Sequence, residues 1–246
     1  MPGGRALADT AGAAPVRWPV NLLHIGKTGG TQLAQLGLEV NERLGALAFL
    51  EHRHPVRLRD LPRRGSYAFS IRQPEARFRS GFYSRKRCGQ PRFYTPWHPG
   101  EVRAFAAFPE ANDLAEALFD PGIRGVEARG AINSINHTAV QQVDWFTPSG
   151  YFLQQRPPVG IVRTEHFDDD WARLAANLGF AEIAPRPFDD PVLAHRNDYA
   201  GTPPLSARAV ENLRQWYARD VAFYADCCAW MEAAPPPLVW KGPPAV

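Results

Sequence analysis

Four short apolar runs predict the strands of a buried parallel sheet. They lie at residues 19–25, 47–50, 66–72 and 160–164, and polar or glycine-rich sequence follows each of them. Leucines at helical spacing follow the first run from Thr31, and a second helix is predicted over 74–86, with Pro74 in its first turn. The pattern predicts an α/β fold in a single domain, with a central parallel sheet flanked by helices.

Further helices and loops are predicted from weaker patterns. Helices are expected over 101–108, 112–119, 126–142 and 205–230, and a strand or its approach over 151–153. Asp168, Asp169 and Asp170 precede one more helix, which ends at Gly179; three acids there fit a helix start better than a metal site. Proline-rich or polar sequence predicts loops over 90–100 and 185–204.

The turn between the first strand and the first helix has the composition of an anion-binding, P-loop-like site. It reads His24-Ile25-Gly26-Lys27-Thr28-Gly29-Gly30-Thr31. Glycines let backbone N–H groups approach a ligand, the helix N-terminus adds partial positive charge, and Lys27 adds a full charge. Lysine otherwise occurs only at positions 86 and 241, which suggests that this position needs a compact point charge. A Walker A motif does not fit, because it requires glycine where Asn21 stands.

This loop resembles the phosphosulfate-binding loop of sulfotransferases that use 3′-phosphoadenosine 5′-phosphosulfate (PAPS). In the carbohydrate branch of that family the loop reads much like His-Ile-Pro-Lys-Thr-Gly-Gly-Thr, from which the chain departs at Gly26. The resemblance implies the sulfotransferase fold, PAPS as sulfuryl donor and no metal. It also implies that Lys27 contacts the bridging oxygen of the donor. The residues that would grip the donor's phosphate are Gly26, Lys27, Thr28, Gly29, Gly30 and Thr31.

A second segment strengthens the resemblance. The family pattern Arg-Asp-Pro, then Arg-Phe, then Ser-x-Tyr is similar to the sequence from Arg72 to Tyr83, with Gln73 in place of aspartate. It implies that Arg72, at the end of the third strand, and Ser80, on the following helix, hold the 3′-phosphate of the donor. Taken alone, the segment would be a basic amphipathic helix.

Candidates for the catalytic base follow the second predicted strand. His52 and His54 form a His-x-His pair at what would be a ligand-binding edge of the sheet. The pair resembles the His-x-His of the heparan sulfate 2-O-sulfotransferases, which implies His54 as the base and His52 as support on the substrate side. Glu51 is a second candidate base, and a solvated loop with alternate histidines is the alternative without function. His137, inside a predicted helix, is expected to be structural.

The distribution of positive charge bears on two alternative functions. The net charge of the 246-residue chain is only +3, but arginines are concentrated between residues 53 and 92. Such a segment is either a solvated face or the footprint of an anionic partner. A P-loop nucleotide kinase or hydrolase and a non-catalytic binder of nucleic acid or another polyanion are therefore the alternatives. The main hypothesis is in-line sulfuryl transfer to a hydroxyl of a small molecule or glycan. No nucleic-acid or membrane partner is expected, and the sequence does not indicate an oligomeric state.

Boundaries and compartment follow from composition. Residues 1–17 are predicted to be a flexible lead-in, 18–231 the sulfotransferase domain and 232–246 a proline-rich tail. Cys88, Cys227 and Cys228 have neither disulfide nor metal spacing, and no apolar run is long enough for a membrane span. These features predict a cytoplasmic protein.

Overall fold

A four-stranded parallel sheet forms the centre of the structure. The computed structural model describes residues 16–146, 151–180, 199 and 201–233. The strands are β1 (Val20–Leu23), β2 (Phe49–Glu51), β3 (Tyr67–Ile71) and β4 (Gly160–Arg163), in the order β2-β1-β3-β4. The four predicted strands and the α/β fold with a parallel sheet are confirmed.

Helices flank the sheet and complete one compact domain. They are α1 (Gly30–Leu44), α2 (Pro74–Lys86), α3 (Pro99–Ala107), α4 (Ala111–Ala117), α5 (Ile123–Ser134), α6 (Phe152–Gln155), α7 (Phe167–Asn177), α8 (Ala207–Trp216) and α9 (Ala218–Glu232). Short 3₁₀ helices cover Leu58–Asp60, Gln142–Trp145 and Thr164–His166. In the part of the chain that the structure describes, none of the helices combines the length and apolar character needed to cross a membrane.

The two faces of the sheet bury different sets of side chains. Ala68 and Val162 join the apolar cluster beneath α1 and α7, whereas Tyr67, Phe69 and Ile71 point into the cluster beneath α9. This alternation follows from the strand period of two. A third apolar cluster joins α2, α3, α4, α5 and α8 beside the sheet. The strands are therefore held on both faces, and their carboxyl ends are fixed relative to one another.

The strand order produces a switch point at the carboxyl ends of β1 and β3. Because β2 and β3 lie on opposite sides of β1, the connections from β1 and from β2 run in opposite directions across the sheet. Ligands of open α/β sheets bind at such a switch point, outside the carboxyl ends of the strands. The loop after β1 and the residue after β3 both lie at that point.

Two predicted helices differ in the structure. The helix predicted over 126–142 ends at Ser134, because Ile135 is extended and His137 has a φ of 71°, which a helix does not accommodate. The long helix predicted over 205–230 is two helices, α8 and α9. They meet at Tyr217, whose buried hydroxyl donates to the carbonyl oxygen of Thr138 at 2.7 Å. That bond fixes the break between them.

The strand or approach predicted over 151–153 is wrong. These residues lead into α6, where the Phe152 ring stacks on Phe146 with centroids 4.4 Å apart. Burial in this aromatic cluster decides the conformation of an apolar run that is too short to show its own period. Residues 1–15 of the predicted lead-in, the tail beyond Ala233, and most of the 185–204 loop lie outside the described residues.

Candidate functional site

The loop after β1 has the backbone of an anion cradle. Lys27 and Gly29 adopt left-handed conformations, with φ of 69° and 83°, and α1 begins at Gly30. Successive turns of this kind aim N–H groups into one concavity at the helix N-terminus. Lysine seldom adopts left-handed backbone angles, and backbone strain of this kind is typical of functional sites.

Thr28 fastens the loop to the sheet. Its buried hydroxyl donates to the carbonyl oxygen of Ile25 at 2.9 Å and lies 3.0 Å from the Ser70 hydroxyl on β3. From the other side, the Thr164 hydroxyl donates to the carbonyl oxygens of Thr28 and Ile71, at 2.7 and 3.0 Å. The Thr28 side chain therefore holds the loop, and only its backbone N–H is left for a ligand.

A buried arginine fixes the loop from α2. Arg77 Nε donates to the carbonyl oxygen of Gly26 at 2.9 Å, and Arg77 Nη1 lies 4.0 Å from the Asp220 carboxylate. Asp220 in turn accepts the backbone N–H groups of Gln142 and Val143, each at 2.9 Å. This chain of contacts ties the loop to α2, α9 and the 3₁₀ helix at 142–145.

Lys27 lies in a strongly cationic and partly dehydrated place. Burial, followed by the charges of Arg72, Arg87, Arg77 and Arg92 in that order, lowers its pKa to about 8. Among the described residues Lys27 makes neither a hydrogen bond nor an ion pair. Its ammonium is therefore held beside like charges, an arrangement that an anion would relieve.

Arg72 reaches the same site from the end of β3. The Gln142 side chain grips its backbone, accepting from Arg72 N at 3.0 Å and donating to Arg72 O at 2.8 Å. Its Nε is buried without a hydrogen-bond partner, and burial lowers the pKa of its guanidinium. An arginine whose backbone is fixed, whose side chain has an unpaired buried donor and whose charge acts on Lys27 fits a second anionic group.

Other residues of the predicted donor site lie nearby in varied surroundings. Ser80 is buried on α2, and the Thr31 hydroxyl accepts from Arg92 Nη1 at 3.2 Å. Arg79, which the sequence did not single out, lies over the Tyr199 ring with its guanidinium carbon 4.7 Å from the centroid. Arg79 Nε and the Tyr199 hydroxyl are both buried without hydrogen-bond partners, and Tyr199 acts electrostatically on Arg72. Arg79 Nη2 donates to the Thr202 hydroxyl at 2.8 Å, so among the described residues the unpaired atoms on the Arg72 side of the switch point are Arg72 Nε, Arg79 Nε and the Tyr199 hydroxyl.

The three candidate bases have different surroundings. His54 is exposed, and its Nδ1 lies 3.0 Å from the carbonyl oxygen of His24. Because a carbonyl oxygen only accepts, Nδ1 carries the hydrogen and Nε2 of the neutral ring keeps a lone pair. His52 Nε2 instead bonds the buried Asn21 amide oxygen at 2.8 Å, and burial lowers its pKa. Glu51 Oε1 lies 3.1 Å from His24 Nδ1.

His137 joins this group in the structure, although the sequence suggested a structural role. Its ring centroid is 6.2 Å from that of His54, and its Nδ1 lies 3.1 Å from the position a Cβ would take on Gly26. Burial, followed by the charge of Lys27, lowers its pKa to about 3. The sequence did not indicate this position, because His137 reaches His54 and Gly26 only through the path of the chain after α5, which no local pattern encodes.

Neither sequence nor structural comparison identifies a relative: no family model, curated protein or solved structure matches the chain. Within the described ranges, no group of three or more His, Cys, Asp or Glu side chains is placed to hold a metal ion.

A substitution at Gly30 tests how tightly the loop after β1 is packed. In a Gly30→Ala variant, the new Cβ would collide with the His24 ring, overlapping Cδ2 and lying 2.8 Å from Nε2. We expect a loss of about 1–3 kcal/mol in the free energy of unfolding, as for other overpacked sites. Gly130→Ala is the matched control: nothing lies within 4 Å of its new Cβ inside α5, and it should stabilise the protein by roughly 0.5–1 kcal/mol. Urea denaturation measures both, and equal effects would contradict the packing described for Gly30.

Proposed function

We propose that the protein is a PAPS-dependent sulfotransferase that transfers a sulfuryl group to an acceptor hydroxyl, with a carbohydrate as the acceptor class. The main support is that Lys27 follows β1 and Arg72 follows β3 at the switch point of the sheet, and that Arg72 is the charged group with the largest effect on the pKa of the Lys27 ammonium. A donor with phosphates at both the 5′ and 3′ positions of adenosine needs two separate anion-binding groups at one crevice.

The residues present suit such a donor. The loop from Gly26 to Thr31 would hold the 5′-phosphosulfate through its N–H groups, with the Lys27 ammonium beside the leaving phosphate. Arg72, together with Ser80, would hold the 3′-phosphate, which the buried unpaired Nε of Arg72 favours. Sulfuryl transfer needs in-line placement and charge stabilisation at the leaving oxygen, and a loop fixed by Thr28, Arg77 and Thr164 would supply both.

His54 is the base that the geometry favours. Its Nε2 keeps a lone pair, because the bond to the His24 carbonyl oxygen fixes the hydrogen on Nδ1. His52 is occupied by Asn21, and the Glu51 carboxylate by His24. We therefore assign His54 as the base that accepts the proton of the acceptor hydroxyl. His52 supports the strand end through Asn21, and Glu51 supports His24.

Calorimetric titration distinguishes this function from its alternatives. We expect adenosine 3′,5′-bisphosphate to bind without added metal, at least about tenfold more tightly than adenosine 5′-monophosphate, because a buried charge-assisted contact to the second phosphate is worth over 1.4 kcal/mol. Arg72→Met should reduce that ratio to near one while leaving binding of the monophosphate almost unchanged. Tighter binding of Mg²⁺-ATP would indicate a kinase or hydrolase. Tight, steeply salt-dependent binding of an oligonucleotide that Lys27→Ala leaves unchanged would indicate a polyanion binder.

A further inference from the structure

His137 is positioned by backbone features that have no evident structural use. It has a left-handed φ of 71°, although it is not a glycine. Two glycines make room for it: a Cβ on Gly81 would lie 3.2 Å from His137 Cβ, and a Cβ on Gly26 would lie 3.1 Å from His137 Nδ1. The segment after α5 is thus pressed between the anion loop and α2, with an imidazole at the point of contact.

The ring itself has few partners. Among the residues that the structure describes it makes no hydrogen bond, and its aromatic contact is with His54 at a 61° interplanar angle. The residue is half-buried, and its ring nitrogens are not among the buried polar atoms that lack a partner. A histidine that served only the packing is expected to bond a carbonyl or carboxylate oxygen, whereas this ring bonds neither within the described part of the chain. Its two ring nitrogens are therefore available to a ligand.

The charge state of the ring is also defined. Burial, followed by the charges of Lys27, His54, Arg77 and Arg85 in that order, lowers its pKa to about 3. His137 is thus neutral at physiological pH and offers one N–H donor and one lone pair. A neutral donor does not add to the crowd of positive charges that already surrounds Lys27.

We propose that His137 is a further catalytic residue, whose neutral imidazole donates a hydrogen bond to a non-bridging oxygen of the sulfuryl group during transfer. The inference rests on the proposed sulfotransferase function. The sulfuryl group passes between the leaving phosphate beside Lys27 and the acceptor oxygen beside His54. The His137 ring lies 6.2 Å from that of His54, and the charge of Lys27 acts on it, which places it near that path.

The step balances as an in-line displacement. The bond between sulfur and the bridging oxygen breaks, and its electron pair stays on the 5′-phosphate beside the Lys27 ammonium. A bond forms between sulfur and the acceptor oxygen, whose proton moves to His54 Nε2. His137 exchanges no proton. It stabilises the charge that is spread over the sulfuryl oxygens, and hence it acts on the rate rather than on donor binding.

Slow transfer from labelled PAPS to water provides a test that needs no identified acceptor. His137→Asn keeps a side chain that tolerates a left-handed backbone, and His137→Gly removes the ring and the backbone strain. We expect both variants to lose about 10²–10³-fold in the rate of hydrolysis, the usual cost of one donor to a transition state. The dissociation constant for adenosine 3′,5′-bisphosphate should change less than about threefold, since donor binding is unaffected. His166→Asn, on an exposed histidine, is the control.

Imidazole rescue separates chemistry from structure. Added imidazole should restore His137→Gly by about tenfold or more, because the cavity admits the missing ring, and should leave His166→Asn unchanged. Two outcomes would overturn this inference but not the proposed function. One is a wild-type rate in His137→Asn, and the other is a rate loss that imidazole does not restore and that accompanies a lowered melting temperature. A wild-type protein that neither binds the bisphosphate nor consumes PAPS would overturn the proposed function as well.

Discussion

Replacing Lys27 by methionine is expected to abolish most activity and, at the same time, to make the protein more stable. The transfer rate should fall about 10²–10³-fold, because the leaving phosphate loses the charge that stabilises it. The free energy of unfolding at pH 7 should rise by on the order of 1–3 kcal/mol. Opposite effects on rate and stability from one substitution are typical of a residue that the fold accommodates only for function.

The stability gain follows from the pKa of Lys27. Burial and four arginines lower it from 10.5 to about 8 in the folded protein. Below pH 8 the lysine is charged in both states, and the folded state bears the full cost of holding it. Between pH 8 and about 10.5 the unfolded chain binds more protons, so stability rises with pH in the wild type. Lys27→Met lacks that rise. No hydrogen bond or ion pair among the described residues is lost to offset the gain.

Lys86→Met is the matched control for this prediction. Lys86 lies half-buried on α2, where its ammonium donates to Glu110 Oε1 at 2.8 Å. Removing it should cost about 0–1 kcal/mol and leave transfer unchanged. Urea unfolding at pH 7 and pH 10, together with PAPS consumption, measures both variants. If Lys27→Met is less stable than wild type at pH 7, the Lys27 ammonium has a stabilising partner and the strained, cationic site described above is wrong.

Much of the fold was predictable because the local patterns agree with the tertiary structure. The strands at β1, β3 and β4 are continuous apolar runs with polar ends, and α2 begins at Pro74 as its sequence predicts. Failures occur where a side-chain contact from elsewhere in the chain decides. Tyr217 divides a continuous amphipathic pattern because its hydroxyl reaches Thr138, and Phe152 joins an aromatic cluster. Neither contact is visible in a sequence window.

The candidate site was predictable in its backbone but not in its side-chain roles. Parallel strands bring their carboxyl ends to one edge, so residues after β1, β2 and β3 had to converge. The sequence does not say which of two alternate histidines turns inward. His52 takes the inward position because the buried Asn21 amide needs a partner, which leaves His54 outward. His137 and Arg79 enter through connections whose paths only tertiary packing determines.

Replacing His54 by glutamine is expected to lower the transfer rate to an acceptor about 10²–10⁴-fold, the usual contribution of a general base. The glutamine amide can still donate to the His24 carbonyl oxygen in place of Nδ1. It has no basic nitrogen, so the acceptor hydroxyl keeps its proton until the sulfuryl bond has formed. Affinity for adenosine 3′,5′-bisphosphate should stay within about threefold of wild type, because the residue does not hold the donor.

Glutamine substitutions at His52 and Glu51 test whether His54 is the base. His52→Gln should lower the free energy of unfolding by about 0.5–1.5 kcal/mol, through the weakened bond to Asn21, and should reduce the rate far less than His54→Gln. Glu51→Gln removes the charge beside His24 and should also have a smaller effect on the rate. Labelled PAPS with a panel of glycans, lipids and phenols supplies the acceptor for all three measurements. The largest loss at Glu51 or His52 would transfer the role of base to that residue, because only the true proton acceptor combines a rate loss of this size with unchanged donor affinity.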